Sequence, residues 1–141
     1  MKFWPKKRWK RIMLTALLVV LAVFANLGAY LEYSVYREVN YTETLNPSGQ
    51  KIALVLYHPG LTTFTKDVAS AYTDGLVSSG WQAELTTASQ EAPSNLSKYS
   101  LLVLCWSIYD FNPAPTITNY LHRIENLNGI NTTIITVGGG A

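Results

Sequence analysis

Cysteine is almost absent from this sequence, because Cys105 is the only one among 141 residues. A single cysteine excludes an intramolecular disulfide and any cysteine-clustered zinc or iron–sulfur site. Zinc-binding, calcium-binding and Walker-type motifs are absent as well. The sequence therefore predicts a protein without a metal site, and its length suits one domain of ordinary size.

Acidic residues are missing from residues 1–11, although this segment holds more than half of the lysines and arginines of the chain. The cations are Lys2, Lys6, Lys7, Arg8, Lys10 and Arg11. The rest of the chain has more acidic than basic side chains. Nucleic-acid binding depends on clustered cations that contact phosphates. The excess of acidic side chains after residue 11 therefore argues against that function.

Charged residues are also absent from residues 12–31, IMLTALLVVLAVFANLGAYL. About 20 apolar residues in a helix span a hydrocarbon core of ~30 Å, and aromatic residues flank both ends of this stretch. A cleaved signal peptide is the alternative, since residues 23–25 and 27–29 resemble cleavage sites. We predict a single retained transmembrane helix behind a basic cytoplasmic segment, residues 1–11. The positive-inside rule then places the N-terminus in the cytoplasm and the following domain outside the cell membrane.

Residues 32–50 have mixed charge, no clear period and a Pro47-Ser48-Gly49 break, and they are predicted to be a tether. Residues 51–141 then alternate between strand and helix patterns. The predicted strands are residues 52–57, 81–87, 101–106 and 133–137, and the predicted helices are residues 65–79 and 117–127. Three strands are continuous apolar runs, typical of burial on both faces, whereas residues 81–87 alternate like an edge strand. This order predicts an α/β fold with a parallel sheet and helices on its faces.

Three loops follow carboxyl ends of the predicted strands, where such sheets bind ligands. The first, residues 58–66, is a hydroxyl-rich turn that opens a helix, and helix N-termini bind phosphate. The second, residues 107–115, carries two aromatic side chains and is stiffened by prolines. The third is the glycine run 138–140, where the backbone can approach a flat ligand closely. Together the loops predict a site for a phosphorylated planar cofactor.

These pieces resemble the flavodoxin family over residues 51–141, with four of the family's five strands. The matching motifs are LTTFTKDVA (residues 61–69), WSIYDFNPAP (residues 106–115) and the glycine run. The resemblance implies a three-layer parallel sheet that binds flavin mononucleotide (FMN), which performs one- or two-electron transfer. In the phosphate loop, Thr63 stands where the family has glycine, and Phe64 replaces a polar residue. Ser107 stands where many relatives have proline.

The resemblance also implies which residues bind the cofactor, and it assigns no catalytic side chain. They are Leu61, Thr62, Thr63, Phe64, Thr65, Ser107, Ile108, Tyr109, Asp110, Phe111, Gly138, Gly139 and Gly140. Tyr109 aligns with the family's tyrosine that flanks the flavin ring. Asp110 is expected either to orient a ring N–H or to cap its turn.

Two classes of function remain open at this point. The first is a membrane-anchored flavodoxin-like electron carrier or quinone-directed oxidoreductase, with an unidentified redox partner. The second is an anchored α/β module without flavin, in a binding or structural role, which the threonine at position 63 favours. A nucleophilic Cys105 beside His58 is a minor third reading, because buried cysteine is usually a small hydrophobe. His122 and Arg123 are expected on a solvated helix face.

The last predicted strand, residues 133–137, lies close to the end of the sequence. A flavodoxin-like sheet would pair another strand with it and cover it with further helices. Without them this strand would be an exposed apolar edge. The sequence therefore predicts that the domain is truncated at its C-terminus, or that a second chain supplies the missing edge.

Overall fold

A computed structural model describes residues 6–108, 112–124 and 126–138 of the chain. The chain divides into two units, Met1–Ser34 and Val35–Ala141. The first unit consists mainly of α1 (Arg8–Tyr36), whose length and composition are sufficient for a helix that crosses a membrane. Among the described residues no other helix meets that test. The predicted apolar span, residues 12–31, lies wholly within this helix.

The second unit is built on one five-stranded sheet. Its elements are β1 (Thr42–Leu45), β2 (Ile52–Tyr57), α2 (Phe64–Ser78), β3 (Gln82–Thr87), β4 (Leu101–Ser107), α3 (Pro115–Arg123) and β5 (Asn131–Val137). The order across the sheet is β1-β3-β2-β4-β5, in which β1 is antiparallel to β3 and every other pair is parallel. The predicted α/β class with a mostly parallel sheet is confirmed.

The two helices of this unit cover opposite faces of the sheet. Ala69 of α2 belongs to the same buried cluster as Val55 of β2. Ile117 of α3 belongs to a second cluster with Leu54, the neighbouring residue of β2, which points to the other face. Right-handed crossovers that leave the centre of a sheet in opposite directions place their helices on opposite faces, so the layering follows from the strand order.

The connection between β3 and β4 contains no helix or strand, and it helps to cover the α3 face. Its Ala88, Ala92 and Leu96 are buried in the α3 cluster. The Arg123 guanidinium donates hydrogen bonds to backbone carbonyls of this segment, including that of Ala92 at 2.9 Å. The Tyr120 hydroxyl donates to another, at 2.6 Å. The expectation that Arg123 lies on a solvated face is therefore wrong, because the loop carbonyls bind its side chain.

The segment predicted as a tether contains β1, a strand that the local sequence pattern does not indicate. This strand pairs with β3, and the Thr42 and Thr86 hydroxyls lie 2.8 Å apart across the pair. As a consequence β3 is an interior strand, and the prediction of an edge strand there is wrong. Its Glu84 carboxylate is nevertheless satisfied, since it accepts hydrogen bonds from the Lys98 ammonium at 2.8 Å and from the Tyr99 hydroxyl.

Both helices of the second unit have different ends from those predicted. α2 begins at Phe64 with Thr63 at its N-cap, whereas the predicted helix begins at residue 65. Gly80 has φ +85°, as expected of the residue that ends a helix. α3 stops at Arg123, since the next residue, Ile124, is extended at φ −69° and ψ 122°. The predicted continuation of this helix to residue 127 is therefore wrong.

β5 is an edge strand with a partner on one side only, and its residues alternate between exposed and half-buried. Its apolar composition predicts burial on both faces, which is wrong for this strand. Ile134 is 59% exposed, whereas Leu104, its register partner in β4, is 2% exposed. One flanking strand leaves apolar side chains of β5 in contact with solvent, as expected of an unprotected edge.

This pair of register partners gives a matched test of the core. Replacing Leu104 by alanine is expected to lower the free energy of unfolding by about 2–5 kcal/mol, because removal of a buried leucine side chain leaves a cavity. Ile134→Ala is expected to cost less than about 1 kcal/mol, the scale of strand propensity at an exposed site. Denaturant unfolding of both variants measures the difference, and equal losses would contradict the assignment of β5 as an exposed edge.

Candidate functional site

The loop after β2 and the carboxyl ends of β4 and β5 surround a cavity of about 310 Å³, here called the strand-end cavity. Its lining residues are Leu61, Thr62, Phe64, Ser107, Ile108, Val137 and Gly138. The three loops predicted to bind a cofactor each contribute to this lining. Such a position, beside the central strands where the chain changes direction across the sheet, is where open parallel sheets bind ligands.

The first loop leads directly into α2. The Thr62 hydroxyl accepts the Phe64 backbone N–H at 3.4 Å, and the Thr63 hydroxyl donates to the Asp67 carboxylate at 2.9 Å. The Phe64 side chain is 58% exposed. The first turn of a helix presents backbone N–H groups and the positive end of its dipole, which favour an anion. Asp67 already supplies one negative charge to this turn.

Thr65 is predicted to bind the cofactor, yet its side chain points into the protein. It is 1% exposed, and its hydroxyl lies 2.6 Å from the hydroxyl of Ser107 at the end of β4. This contact joins the start of α2 to β4 and fixes the relative positions of the first two loops. Ser107 also lines the strand-end cavity, whereas Thr65 lies outside its lining.

The second and third loops are joined through their backbones. The Ile108 N–H donates to the Val137 carbonyl at 3.1 Å, immediately beside Gly138. Ile108 is 45% exposed and contributes an apolar wall to the cavity. The predicted cofactor-binding residues Tyr109, Asp110, Phe111, Gly139 and Gly140 lie outside the described residues.

Cys105 and His58 do not form a catalytic pair. The Cys105 side chain is fully buried in the cluster on the α2 face, and its thiol contacts the Thr65 carbonyl at 3.8 Å. The His58 side chain belongs to the other face, where its Nδ1 lies 2.7 Å from the Thr116 hydroxyl of α3. Burial raises the pKa of the Cys105 thiol to about 11, which disfavours the nucleophilic thiolate.

A second cavity of about 430 Å³, here called the cationic cavity, lies at the end of β2. Its lining residues are Arg37, Val39, Tyr41, Tyr57, Pro59, Gly60, Leu61, Thr62, Thr63 and Lys66. It shares Leu61 and Thr62 with the strand-end cavity. The sequence predicts no site here, because Arg37 lies in the segment predicted as a tether and Tyr57 lies in a buried strand. The signal that could indicate it is the single arginine between the apolar span and β1.

Comparisons with known proteins identify no relative. No protein-family model, no curated protein and no solved structure matches this chain. Among the described residues, no cluster of three or more histidine, cysteine, aspartate or glutamate side chains is arranged to hold a metal ion. Any statement of function therefore depends on the fold and on the two cavities.

One buried thiol and two buried tyrosine hydroxyls determine how the free energy of unfolding should change at alkaline pH. Burial raises the pKa of the Cys105 thiol to about 11 and those of the Tyr57 and Tyr120 hydroxyls to about 12. The folded chain holds these protons more tightly than the unfolded chain, so the stability they contribute is complete below the unfolded pKa values. It is lost as pH rises through the folded values.

We therefore expect the free energy of unfolding to fall as pH increases from 9.0 towards about 12. Denaturant unfolding at a series of pH values measures this slope. Cys105→Ala should flatten the lower part of the window, because it removes the group with the lowest ordinary pKa. A stability that rises over this range would contradict the assignment.

Proposed function

We propose that this chain is a membrane-anchored, flavodoxin-like protein that binds FMN and transfers electrons, as a carrier or as a quinone-directed oxidoreductase. The observation that supports the proposal is the strand-end cavity, to which all three predicted cofactor loops contribute. A random distribution of these loops over the surface would not form a single cavity at the carboxyl ends of three adjacent parallel strands.

The described side chains of the strand-end cavity fit a planar apolar ring with polar edges. Leu61, Phe64, Ile108 and Val137 offer apolar surface, while nearby threonine and serine hydroxyls can form hydrogen bonds. The volume of about 310 Å³ falls at the lower end of the range of about 300–1,000 Å³ for ligand pockets. In this proposal the apolar side chains exclude water from the ring, and the bound flavin supplies the electron transfer.

The membrane anchor in this proposal is α1. Large apolar side chains are exposed along it, for example Leu17 at 55% and Phe24 at 67%. Apolar surface in water costs roughly 25 cal/mol per Å², so a helix of this kind is stabilised by transfer into lipid. The cations of residues 1–11 favour a cytoplasmic N-terminus, with the sheet domain outside the cell membrane.

An anchored module without flavin is the second candidate, and a specific observation favours it. Two hydroxyls of the predicted phosphate loop are already engaged within the protein, since Thr63 donates to Asp67 and Thr65 contacts Ser107. Thr63 also has a right-handed helical backbone, with φ −71° and ψ −9°. These two hydroxyls are therefore not free to bind a phosphate at this loop.

The ring contact assigned to Tyr109 gives a direct test of the flavin site. Tyr109→Ala is expected to weaken FMN binding about tenfold, because an aromatic contact contributes ~0.5–1.5 kcal/mol beyond its buried area. Tyr109→Phe keeps the ring and is expected to retain most of the affinity. Titration of the purified full-length chain with FMN, followed by flavin fluorescence, measures both variants. Unchanged affinity in the alanine variant would show that the ring does not lie against Tyr109.

A further inference from the structure

The cationic cavity contains one buried donor that the described part of the fold leaves without a partner. Arg37 Nη2 donates a weak hydrogen bond to the Gly60 carbonyl at 3.4 Å. The Nε atom of the same guanidinium is buried, and within the described part of the chain it has no hydrogen-bond partner. Buried donors in proteins are almost always paired, and an unpaired one costs about 1–3 kcal/mol. A partner supplied from outside the chain would recover this cost.

Tyr57 contributes a hydroxyl donor to the same cavity. The residue is 3% exposed and lines the cavity. Burial raises the pKa of this hydroxyl to about 12. The group is therefore a neutral O–H donor at physiological pH, and a donor in this position suits a ligand that only accepts hydrogen bonds.

The cavity is lined by two basic side chains, Arg37 and Lys66. The Lys66 ammonium lies 4.9 Å from the centre of the Tyr41 ring and belongs to the lining together with Arg37. None of the described lining residues is acidic. Two carboxylates lie next to the cavity, since Glu43 accepts a hydrogen bond from the Tyr41 hydroxyl at 2.6 Å and Asp67 accepts one from Thr63, and both donors belong to the lining. Neither carboxylate is itself part of the lining, and each is already engaged by one of these hydroxyls.

We propose that the cationic cavity binds a phosphate monoester group, held by the Arg37 guanidinium, the Lys66 ammonium and the Tyr57 hydroxyl. A phosphate monoester carries close to two negative charges and several strong acceptor oxygens, which match two cations and an O–H donor. The arginine offers a planar fork for two oxygens, and the lysine offers a flexible point charge. The Thr62 and Thr63 side chains, also in the lining, close the site on the α2 side.

The phosphate monoester in this site can belong to the flavin or to a separate ligand, and the lining that the two cavities share bears on this question. The cationic and strand-end cavities have Leu61 and Thr62 in common, so one phosphorylated ligand can extend from one cavity into the other. In that case the group is the phosphate of the flavin, and this arm rests on the proposed function. Otherwise the site binds a separate phosphate monoester and is independent of flavin.

Inorganic phosphate is the probe for the site itself, with the full-length chain in detergent and calorimetry as the readout. Arg37→Gln and Lys66→Gln are each expected to weaken phosphate binding about tenfold or more, because hydrogen bonds to charged groups contribute ~1.5–3 kcal/mol. Tyr57→Phe removes one oxygen atom and is expected to weaken binding several-fold. Lys51→Gln is the control, since Lys51 lies outside the lining and should leave phosphate affinity unchanged.

Comparison of FMN with riboflavin, which lacks the phosphate, separates the two sources. If the flavin phosphate occupies the site, Arg37→Gln weakens FMN binding, leaves riboflavin binding unchanged, and inorganic phosphate competes with FMN. If the phosphate ester is separate, phosphate binds without competition and flavin affinities do not depend on Arg37.

Phosphate binding that is absent, or that is equal in the wild type and in all three cavity variants, overturns the proposal. Tyr57→Phe keeps the ring and its packing, so this variant decides the question if Arg37→Gln fails to fold. A chain that binds phosphate but no flavin would contradict the proposed function and leave the phosphate site standing.

Discussion

Ile108→Asp is expected to abolish measurable FMN binding while the domain stays folded. Ile108 is 45% exposed in the described structure and lines the strand-end cavity, so a bound ring would cover it. Burial of an unpaired carboxylate costs several kcal/mol, and each ~1.4 kcal/mol corresponds to a tenfold loss of affinity. We therefore expect FMN binding to weaken by about a hundredfold or more. Flavin titration of the purified variant measures the loss.

Ile134→Asp is the matched control for this experiment. Ile134 is 59% exposed on β5, and it lies outside the strand-end cavity. The same chemical change there should leave FMN affinity within about twofold of wild type, because it places the charge in solvent. Equal losses in the two variants would assign the effect to a general disturbance of the fold. Unchanged binding in Ile108→Asp would exclude the strand-end cavity as the flavin site.

Protease added to intact cells is expected to remove the sheet domain almost completely. The reason is the cluster of cations in residues 1–11, because the positive-inside rule predicts a cytoplasmic N-terminus and a domain outside the membrane. Immunoblotting with an epitope at each end of the chain follows the cleavage. If the domain is digested only after the membrane has been permeabilised, the orientation is the opposite of the one predicted.

Charge substitution provides the control for this topology. Replacing the cations of residues 1–11 by glutamine is expected to produce a mixed or inverted orientation, since the excess of lysine and arginine near a span sets its direction. Replacing Lys51, Lys66 and Lys98 in the domain by glutamine should leave the orientation unchanged, because these residues are distant in sequence from the span. Insensitivity to the N-terminal substitutions would contradict the positive-inside explanation.

The central strands of the sheet could be predicted from the sequence because each is a continuous run of apolar residues. β2 has the predicted bounds, residues 52–57, and β4 is one residue longer than predicted. A run of apolar residues between polar breaks is sufficient for a strand that is covered on both faces. The same rule fails for β5, because composition does not reveal that only one neighbour pairs with it.

β1 could not be predicted, because it depends on contacts distant in sequence. Its four residues, TETL, carry little apolar content, and their position is determined by pairing with β3. The Thr87 side chain, for instance, accepts the Tyr41 N–H at 3.0 Å and donates to the Val39 carbonyl. Pairs separated by more than forty positions leave no local pattern, and the interior position of β3 follows from the same contacts.

In the candidate site, too, the features that depend on local sequence could be predicted, and those that depend on contacts distant in sequence could not. Ser107, Ile108 and Gly138 were predicted to meet because they follow parallel strands, and all three line the strand-end cavity. Thr65 carries the expected residue type, yet its hydroxyl is directed inward to Ser107. The contribution of Arg37 depends on where the chain crosses the end of β2, which no nearby residue reveals.

The most direct test of flavin binding is the visible absorption spectrum of the full-length chain, purified in detergent, incubated with FMN and freed of unbound flavin. The proposal predicts a yellow protein with stoichiometric FMN, whose colour is lost on reduction and returns on reoxidation. A folded chain that remains colourless after this reconstitution would contradict FMN binding and favour the anchored module without flavin.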